Sequence, residues 1–280
     1  RVMQHQTSAQ TEMSSVYPST TAAALSSLGT ALSPGEHGLV GYDVYDPDRQ
    51  VVINQLGGWD ERTDPEVWQP APTIFQQLND QRQAGVHNIR PVTVSLPAFE
   101  DSALTRASLQ GPKFVGADEL GERFVRAAQA AQQPGALIYL YVNELDKAGH
   151  QHGPGSNTWL EVLEDLDAHA RRMIRKLPGS TLVAVTGDHG MIEVKEEHRV
   201  DFSQYGELIE HIAHTAGEPR MVQLHFDPAA TEVQREETRN AWVRRFGDQA
   251  WVVTRQQAID AGWFGAVSPR VQQRIGDLLV

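Results

Sequence analysis

The chain has no cysteine among its 280 residues. Disulfide bonds, thiolate metal sites and a cysteine nucleophile are therefore excluded, and any metal ion must be bound through carboxylate, imidazole or hydroxyl groups. Because a chain without disulfides suits oxidising and reducing compartments alike, the compartment stays unknown, with a soluble and cytoplasmic location as the expectation.

Positive charge is scarce as well. The chain has 24 Lys and Arg residues against 36 Asp and Glu residues, which gives a formal net charge of -12. A protein that grips a phosphate backbone normally carries a basic surface, so no polymeric nucleic acid is expected as a partner.

Long apolar runs are also missing. The run ALIYLYV at 136–142 is far too short to cross a bilayer, so no membrane partner is expected. The chain starts at Arg1 with VMQHQTSAQ, which has neither an initiator methionine nor the apolar centre of a signal peptide. We therefore expect that an upstream segment has been removed. The oligomeric state is unknown at this stage.

Helical and extended patterns alternate along the first two thirds of the chain. Apolar spacing predicts helices at 20–32 (beginning at about Thr21), 73–84, 119–132 and 158–177, and short β-rich runs predict strands at 39–45, 51–54, 91–96, 136–142 and 181–186. This alternation is typical of right-handed crossover units. The predicted fold class is α/β, with a mostly parallel sheet sandwiched between helices.

The pattern changes after residue 192. Two extended runs, MVQLHF and AWVVTR, alternate there with a polar helix predicted at 229–246, and the stretch Gly217-Glu218-Pro219 is interpreted as a boundary. The predicted domains are a core over 1–192, a small α+β cap over 193–265 and a return to the core over 266–280.

Two Asp/His pairs follow two of the predicted strands. Asp146 and His150 lie four residues apart in ELDKAGH, and Asp188 and His189 are adjacent in TGDHG. Because the carboxyl ends of parallel strands open onto one crevice, we expect the pairs to lie close together. One such pair alone is more often a turn aspartate beside a hydrogen-bonded histidine. Two pairs at two strand ends favour a site for zinc or a similar divalent ion.

A run of hydroxyl residues precedes the first predicted helix. Ser19, Thr20 and Thr21 follow Pro18 at the entrance to an Ala-rich segment. The N-terminus of a helix attracts phosphate through its free N–H groups and its dipole. Taken alone, however, a Ser or Thr at this place is usually only an N-cap.

Three segments together resemble a known family. In order and spacing, YPSTTAAALSSLGTALSPGEHGLVGY, YVNELDKAGHQHGPG and VTGDHGM are similar to successive motifs of the alkaline phosphatase superfamily, in particular its type I phosphodiesterase/nucleotide pyrophosphatase branch. The resemblance covers about residues 14–191 and is weak beyond them. It implies an alkaline phosphatase-like core and a hydrolase that acts on a small phosphate ester with two divalent ions, zinc in this family.

The resemblance also implies roles for individual residues. The nucleophile lies sixteen residues before the His of the P-x-x-H-G turn; counting back from His37 reaches Thr21, which would also be a metal ligand. His37 is interpreted as structural and His152 as a neighbour of the site. The remaining ligands correspond to Asp146 and His150 at one ion and to Asp188 and His189 at the other.

The chain departs from the family pattern at two substrate-binding positions. Tyr42 stands where phosphodiesterases have an Asn that binds a phosphate oxygen, and Ala22 stands where an aromatic residue usually stacks on a base. Tyr42 is therefore the predicted phosphate-binding residue. The alternatives are a phosphomonoesterase, a sulfatase or a phosphonate hydrolase of the same superfamily, or a non-catalytic relative or fragment.

Two further ligands of the family are not found. A metal-binding Asp upstream of the nucleophile and a last His downstream of RIGDLLV would lie beyond the ends of this chain, and we expect both in a longer parent chain. His211, His214 and His225 are interpreted as ordinary surface or strand residues. In the cap, Arg199 and Arg220 are the candidate contacts for a phosphate or leaving group.

Overall fold

The computed structural model describes residues 14–280 and divides them into two compact units. The first unit contains Pro72–Glu193, and the second contains Ser15–Ala71 with Val194–Val280. The first thirteen residues of the predicted core lie outside the described residues. The division into core and cap stays a prediction.

Helices and strands alternate over most of the described chain. The helices of residues 14–280 are α1 (Thr21–Thr30), α2 (Pro34–His37), α3 (Pro65–Trp68), α4 (Ile74–Gln83), α5 (Ala103–Ser108), α6 (Leu120–Ala130), α7 (Glu144–His152), α8 (Asn157–Ile174), α9 (Gly206–Ile209), α10 (Glu232–Phe246), α11 (Arg255–Asp260) and α12 (Pro269–Gln272). The strands are β1 (Asp43–Asp46), β2 (Val51–Asn54), β3 (Arg90–Ser95), β4 (Lys113–Gly116), β5 (Ala136–Leu140), β6 (Ile212–Glu218), β7 (Met221–Phe226), β8 (Val253–Thr254) and β9 (Leu278–Leu279). None of the helices in this part of the chain is both long and apolar enough to cross a membrane.

The first unit is built on a parallel sheet with the strand order β4-β3-β5. Val92 of β3 lies opposite Lys113 of β4 and Ile138 of β5. Helix α6 connects β4 to β5 and buries an apolar face that includes Phe124. The Phe124 ring stacks on His169 of α8, with 5.8 Å between the ring centroids. These crossover connections confirm the α/β fold class.

The prediction of a strand at 181–186 is wrong. The segment is paired with no strand in the described residues, and Leu182 and Val185 are 92% and 66% exposed. A β-strand needs a neighbour for its N–H and C=O groups. The β-branched composition of the segment favours an extended backbone but supplies no such neighbour.

The second unit contains an antiparallel sheet with the order β2-β1-β6-β7-β9-β8. Strand β6 is absent from the sequence prediction, and Gly217-Glu218-Pro219 is part of the β6–β7 hairpin instead of a boundary. Glu218 pairs with Met221 across the turn, and Gly217 has a φ of +86°. A side chain at Gly217 would collide with the Met221 carbonyl, so glycine is required by the hairpin itself.

The two faces of β7 have different neighbours. Leu224 and Phe226 pack into the apolar core of the second unit with Trp242, whose indole N–H donates to the Leu208 carbonyl at 3.0 Å. His225 points to the opposite face and packs on Tyr45, with 4.4 Å between the ring centroids. Burial lowers the pKa of His225 to about 4.

Helix α1 begins at Thr21, as predicted, and a buried histidine holds its second half. His37 accepts the Leu39 N–H at Nδ1 over 3.1 Å, and its Nε2 lies 3.0 Å from Ser27 Oγ on α1. Because Nδ1 is an acceptor, the ring proton resides on Nε2. Burial lowers the pKa of His37 to about 3, which keeps the ring neutral. These contacts support the structural interpretation of His37.

We expect His37→Gln to weaken the pH dependence of stability. The folded chain holds the pKa of His37 at about 3 against a usual 6.5, so between these values the unfolded chain binds more protons and the free energy of unfolding falls with falling pH. Removing the ring should lower this slope by up to about 1.4 kcal/mol per pH unit, leaving the contribution of His225.

Urea unfolding at a series of pH values from 7 to 4 measures this slope. The control is His198→Gln in the same unit, which removes an exposed imidazole and leaves the packing around α1 intact. Equal slopes for the wild type and His37→Gln would contradict the interpretation.

Candidate functional site

The first Asp/His pair lies on α7, directly after the parallel strand β5. Asp146 is in the first turn of this helix, where the free N–H groups favour a carboxylate. His150 follows one helical turn later, and its Nε2 lies 3.4 Å from Asp146 Oδ1. Helical spacing therefore places both side chains on one face.

The second pair lies in the bend that follows residues 181–187, which have no regular secondary structure. His189 Nε2 is 3.8 Å from Asp188 Oδ2 and 4.0 Å from Asp146 Oδ1. His189 Nδ1 lies 2.8 Å from the Gly190 carbonyl, which can only accept, so Nδ1 donates and Nε2 carries the lone pair of the neutral ring. The two predicted pairs thus meet at Asp146 Oδ1, which lies between two imidazoles.

A glycine of α7 allows the bend to pack closely on this helix. A Cβ added at Gly149 would collide with the Sδ and Cε atoms of Met191, and it would also approach Trp159. The missing side chain therefore creates the space that Met191 fills, two residues after His189. This contact keeps the second pair beside the first.

Tyr141 adjoins the two pairs and was not singled out from the sequence. It lies just beyond β5, and its ring packs edge-on against Phe99, with 5.9 Å between the centroids. Burial raises its pKa to about 12, and the negative charges of Asp188 and Asp146 act in the same direction. The phenol therefore stays protonated and can donate. In the sequence, Tyr141 is marked only by its position at the end of a predicted strand, shortly before the acidic residues at the start of α7.

The donor set of the two pairs fits a divalent cation in its chemistry. Two carboxylates and two imidazoles are the ligand types that zinc and similar ions prefer, and His189 presents its lone pair toward both carboxylates. Within residues 14–280, no group of three or more His, Asp or Glu side chains is arranged so that it could hold a metal ion.

Thr21 and Tyr42 belong to the second unit. Thr21 is the first residue of α1 and is half-buried. Thr20 is the N-cap, but its hydroxyl makes no capping hydrogen bond. Tyr42, which precedes β1, is 39% exposed. The roles of both residues in substrate chemistry stay predictions.

The remaining histidines and arginines singled out from the sequence are placed as follows. His152 is exposed at the end of α7. In the second unit, His211 lies just before β6 and His214 lies within it, and both are half-buried. Arg199 and Arg220 are exposed. Their proposed contacts with a phosphate or leaving group stay predictions.

Comparison with known proteins relates the chain to phosphodiesterases. The profile of the family described as type I phosphodiesterase / nucleotide pyrophosphatase matches residues 1–280. The chain is 23% identical over 187 residues to human ectonucleotide pyrophosphatase/phosphodiesterase family member 5, a match that covers 64% of this chain and 37% of that protein. The chain thus spans well under half the length of this relative.

Solved structures show the same fold. Murine ectonucleotide pyrophosphatase/phosphodiesterase 5 superimposes with a TM-score of 0.68 at 15% identity, over 96% of this chain and 68% of that chain. Phosphonoacetate hydrolase from Sinorhizobium meliloti 1021, in complex with phosphonoformate, superimposes with a TM-score of 0.65 at 16% identity, over 95% and 70% of the two chains. At these identities the likeness establishes the fold.

We expect Asp146→Asn to weaken Zn²⁺ binding, because the amide loses the charge that lies between His150 and His189. The loss should be at least about tenfold, the effect that removal of even an outer-shell partner has. Equilibrium dialysis with elemental analysis measures the bound metal.

Helix α8 offers a matched control for this substitution. Asp165 and His169 have the same spacing as Asp146 and His150 and the same 3.4 Å separation, but among residues 14–280 no second Asp/His ion pair adjoins them. Asp165→Asn should therefore leave Zn²⁺ binding unchanged. Equal effects of the two substitutions would mean that the paired spacing alone, and not the meeting of two pairs, attracts the ion.

Proposed function

Because this chain belongs to the type I phosphodiesterase/nucleotide pyrophosphatase family, we propose that it is a metal-dependent phosphoric ester hydrolase with Thr21 as its nucleophile. Asp146 with His150 and Asp188 with His189 would hold two divalent ions, zinc in the proposal, with Thr21 as the further ligand that the family pattern implies. The observation that carries the proposal is the position of Asp146 Oδ1 between the imidazoles of His150 and His189.

The local structure of Thr21 suits a nucleophile. Its place at the first position of α1 puts the hydroxyl beside backbone N–H groups that have no helical acceptor, and these can bind phosphoryl oxygens. The Thr21 oxygen attacks phosphorus as the bond to the leaving oxygen breaks; the hydroxyl proton passes to solvent, and the leaving oxygen takes up a proton and departs as an alcohol. The product is a phosphothreonine, which keeps its second ester bond when the substrate is a diester. Water then attacks the same phosphorus and releases phosphate or a phosphomonoester, and Thr21 regains its proton.

The two Asp/His pairs would support this chemistry through the divalent ions that they bind. Divalent ions bound there would lower the pKa of the hydroxyl and of water, and would neutralise the phosphoryl oxygens. The Nδ1–H bond from His189 to the Gly190 carbonyl fixes the tautomer and the orientation of that ring. Local cations also allow a chain of net charge -12 to bind a small anionic ester.

The proposed substrate is a small phosphate ester. A solved murine relative is described as inactive with a threonine-to-alanine change and in complex with AMP. That description agrees with a catalytic threonine and a nucleotide-sized substrate here. Tyr42, which is 39% exposed, replaces the Asn of the family pattern as the hydrogen-bond donor to a phosphate oxygen.

The alternatives are separated by a substrate panel. Hydrolysis of bis-p-nitrophenyl phosphate in preference to p-nitrophenyl phosphate supports the phosphodiesterase assignment. Preference for the monoester, for p-nitrophenyl sulfate or for phosphonoacetate identifies a phosphomonoesterase, a sulfatase or a phosphonate hydrolase. No turnover of any of them by the Zn²⁺-loaded chain supports a non-catalytic relative or a fragment.

We expect Thr21→Ala to lower kcat for the preferred substrate by at least about a thousandfold, because the attacking oxygen is gone while the fold persists. Thr20→Ala is the matched control, since the Thr20 hydroxyl is adjacent but makes no capping bond. It should retain most of the activity. Loss of activity in Thr20→Ala with activity retained in Thr21→Ala would place the nucleophile one residue earlier.

A further inference from the structure

Arg123 on α6 is the largest fully buried side chain in the described part of the protein. A buried guanidinium carries a desolvation cost of several kcal/mol unless it is paired and hydrogen-bonded, and an apolar residue of similar volume would often stabilise a core as well. Stability alone is therefore a weak reason for an arginine here. Its contacts point to a more specific role.

The guanidinium reaches the junction between β5 and α7. Its Nη1 donates to the Tyr141 carbonyl at 3.1 Å, and its Nη2 lies 3.5 Å from the Asp118 carbonyl. Nη2 also forms an ion pair with Glu144, the first residue of α7. The second oxygen of Glu144 accepts the Asn143 N–H at 3.1 Å.

The start of α7 is held by these contacts and has no ordinary side-chain helix cap. Asn143 is the N-cap of α7, but its side chain makes no capping hydrogen bond. The start of the helix is instead held by Glu144, and Glu144 is held by Arg123 from another helix. Asp146 follows two residues later, so a shift in the start of α7 moves the carboxylate directly.

We propose that Arg123, acting through Glu144, is a positioning residue that sets the orientation of Asp146 and His150. This inference rests on the proposed function of that pair as metal ligands. Arg123 itself touches neither member of the pair in the described contacts, and it acts by fixing where α7 leaves the sheet.

Two variants and one control test the proposal in the full chain. Arg123→Lys keeps the positive charge but loses the two-pronged geometry, and Glu144→Gln removes the charge of the partner at a half-buried position. Arg126→Gln is the control on the same helix, because Arg126 makes an exposed ion pair with Glu122 at 2.8 Å. An exposed pair of this kind contributes little to stability.

The first readout is amide hydrogen exchange in the metal-free protein. We expect exchange in α7 to accelerate about tenfold in both variants while α8 is unchanged, because the loosened contact is local. Equal acceleration in α7 and α8 would show that Arg123 has only a general structural role. No acceleration in α7 would show that Arg123 does not hold this helix. Either result would overturn the proposal.

The second readout is the dissociation constant for Zn²⁺ alone, measured by competition with a chromophoric chelator. We expect it to rise about tenfold in Arg123→Lys and Glu144→Gln and to stay unchanged in Arg126→Gln. Unchanged Zn²⁺ affinity in folded variants would overturn the positioning role and leave the proposed function intact. If the wild type binds no Zn²⁺, the proposed metal site fails, while the exchange data still decide whether Arg123 holds α7.

Discussion

The arrangement of the candidate site depends on where α7 begins. Parallel pairing of β5 with β3 fixes the end of the strand, and the chain must turn within three residues to start the helix at Glu144. The positions of the two imidazoles beside Asp146 follow from that turn. His150 lies one helical turn later. His189 lies in a bend that packs on the same helix through Gly149 and Met191. A short parallel sheet thus controls the position of a carboxylate that lies outside it.

The electrostatics of this region suit a cation. Burial raises the pKa of Tyr141, and the nearby carboxylates of Asp188, Asp146 and Glu144 raise it further. The fully buried Arg123 pairs with Glu144 alone among these carboxylates in the described contacts. The other described contacts of Asp146 are with the imidazoles of His150 and His189.

Much of the fold is predictable from local patterns, and the site is predictable only in part. Helices such as α4 and α6 follow from apolar spacing, and the motifs identify both Asp/His pairs. Segment 181–186 shows the limit, because its strand-like composition does not provide a pairing neighbour. Strand β6 was missed because its hairpin turn reads as a linker. Arg123 and Glu144 are 21 residues apart, and no sequence pattern connects them.

The central claim is that two Asp/His pairs hold divalent ions. The most direct test is anomalous scattering at the zinc edge from crystals grown with Zn²⁺. The account predicts one peak within bonding distance of Asp146 and His150 and a second near Asp188 and His189, with metal–ligand distances of about 2.0–2.2 Å. Peaks only at other side chains, such as the similarly spaced Asp165 and His169, or no ordered zinc at all, would contradict it.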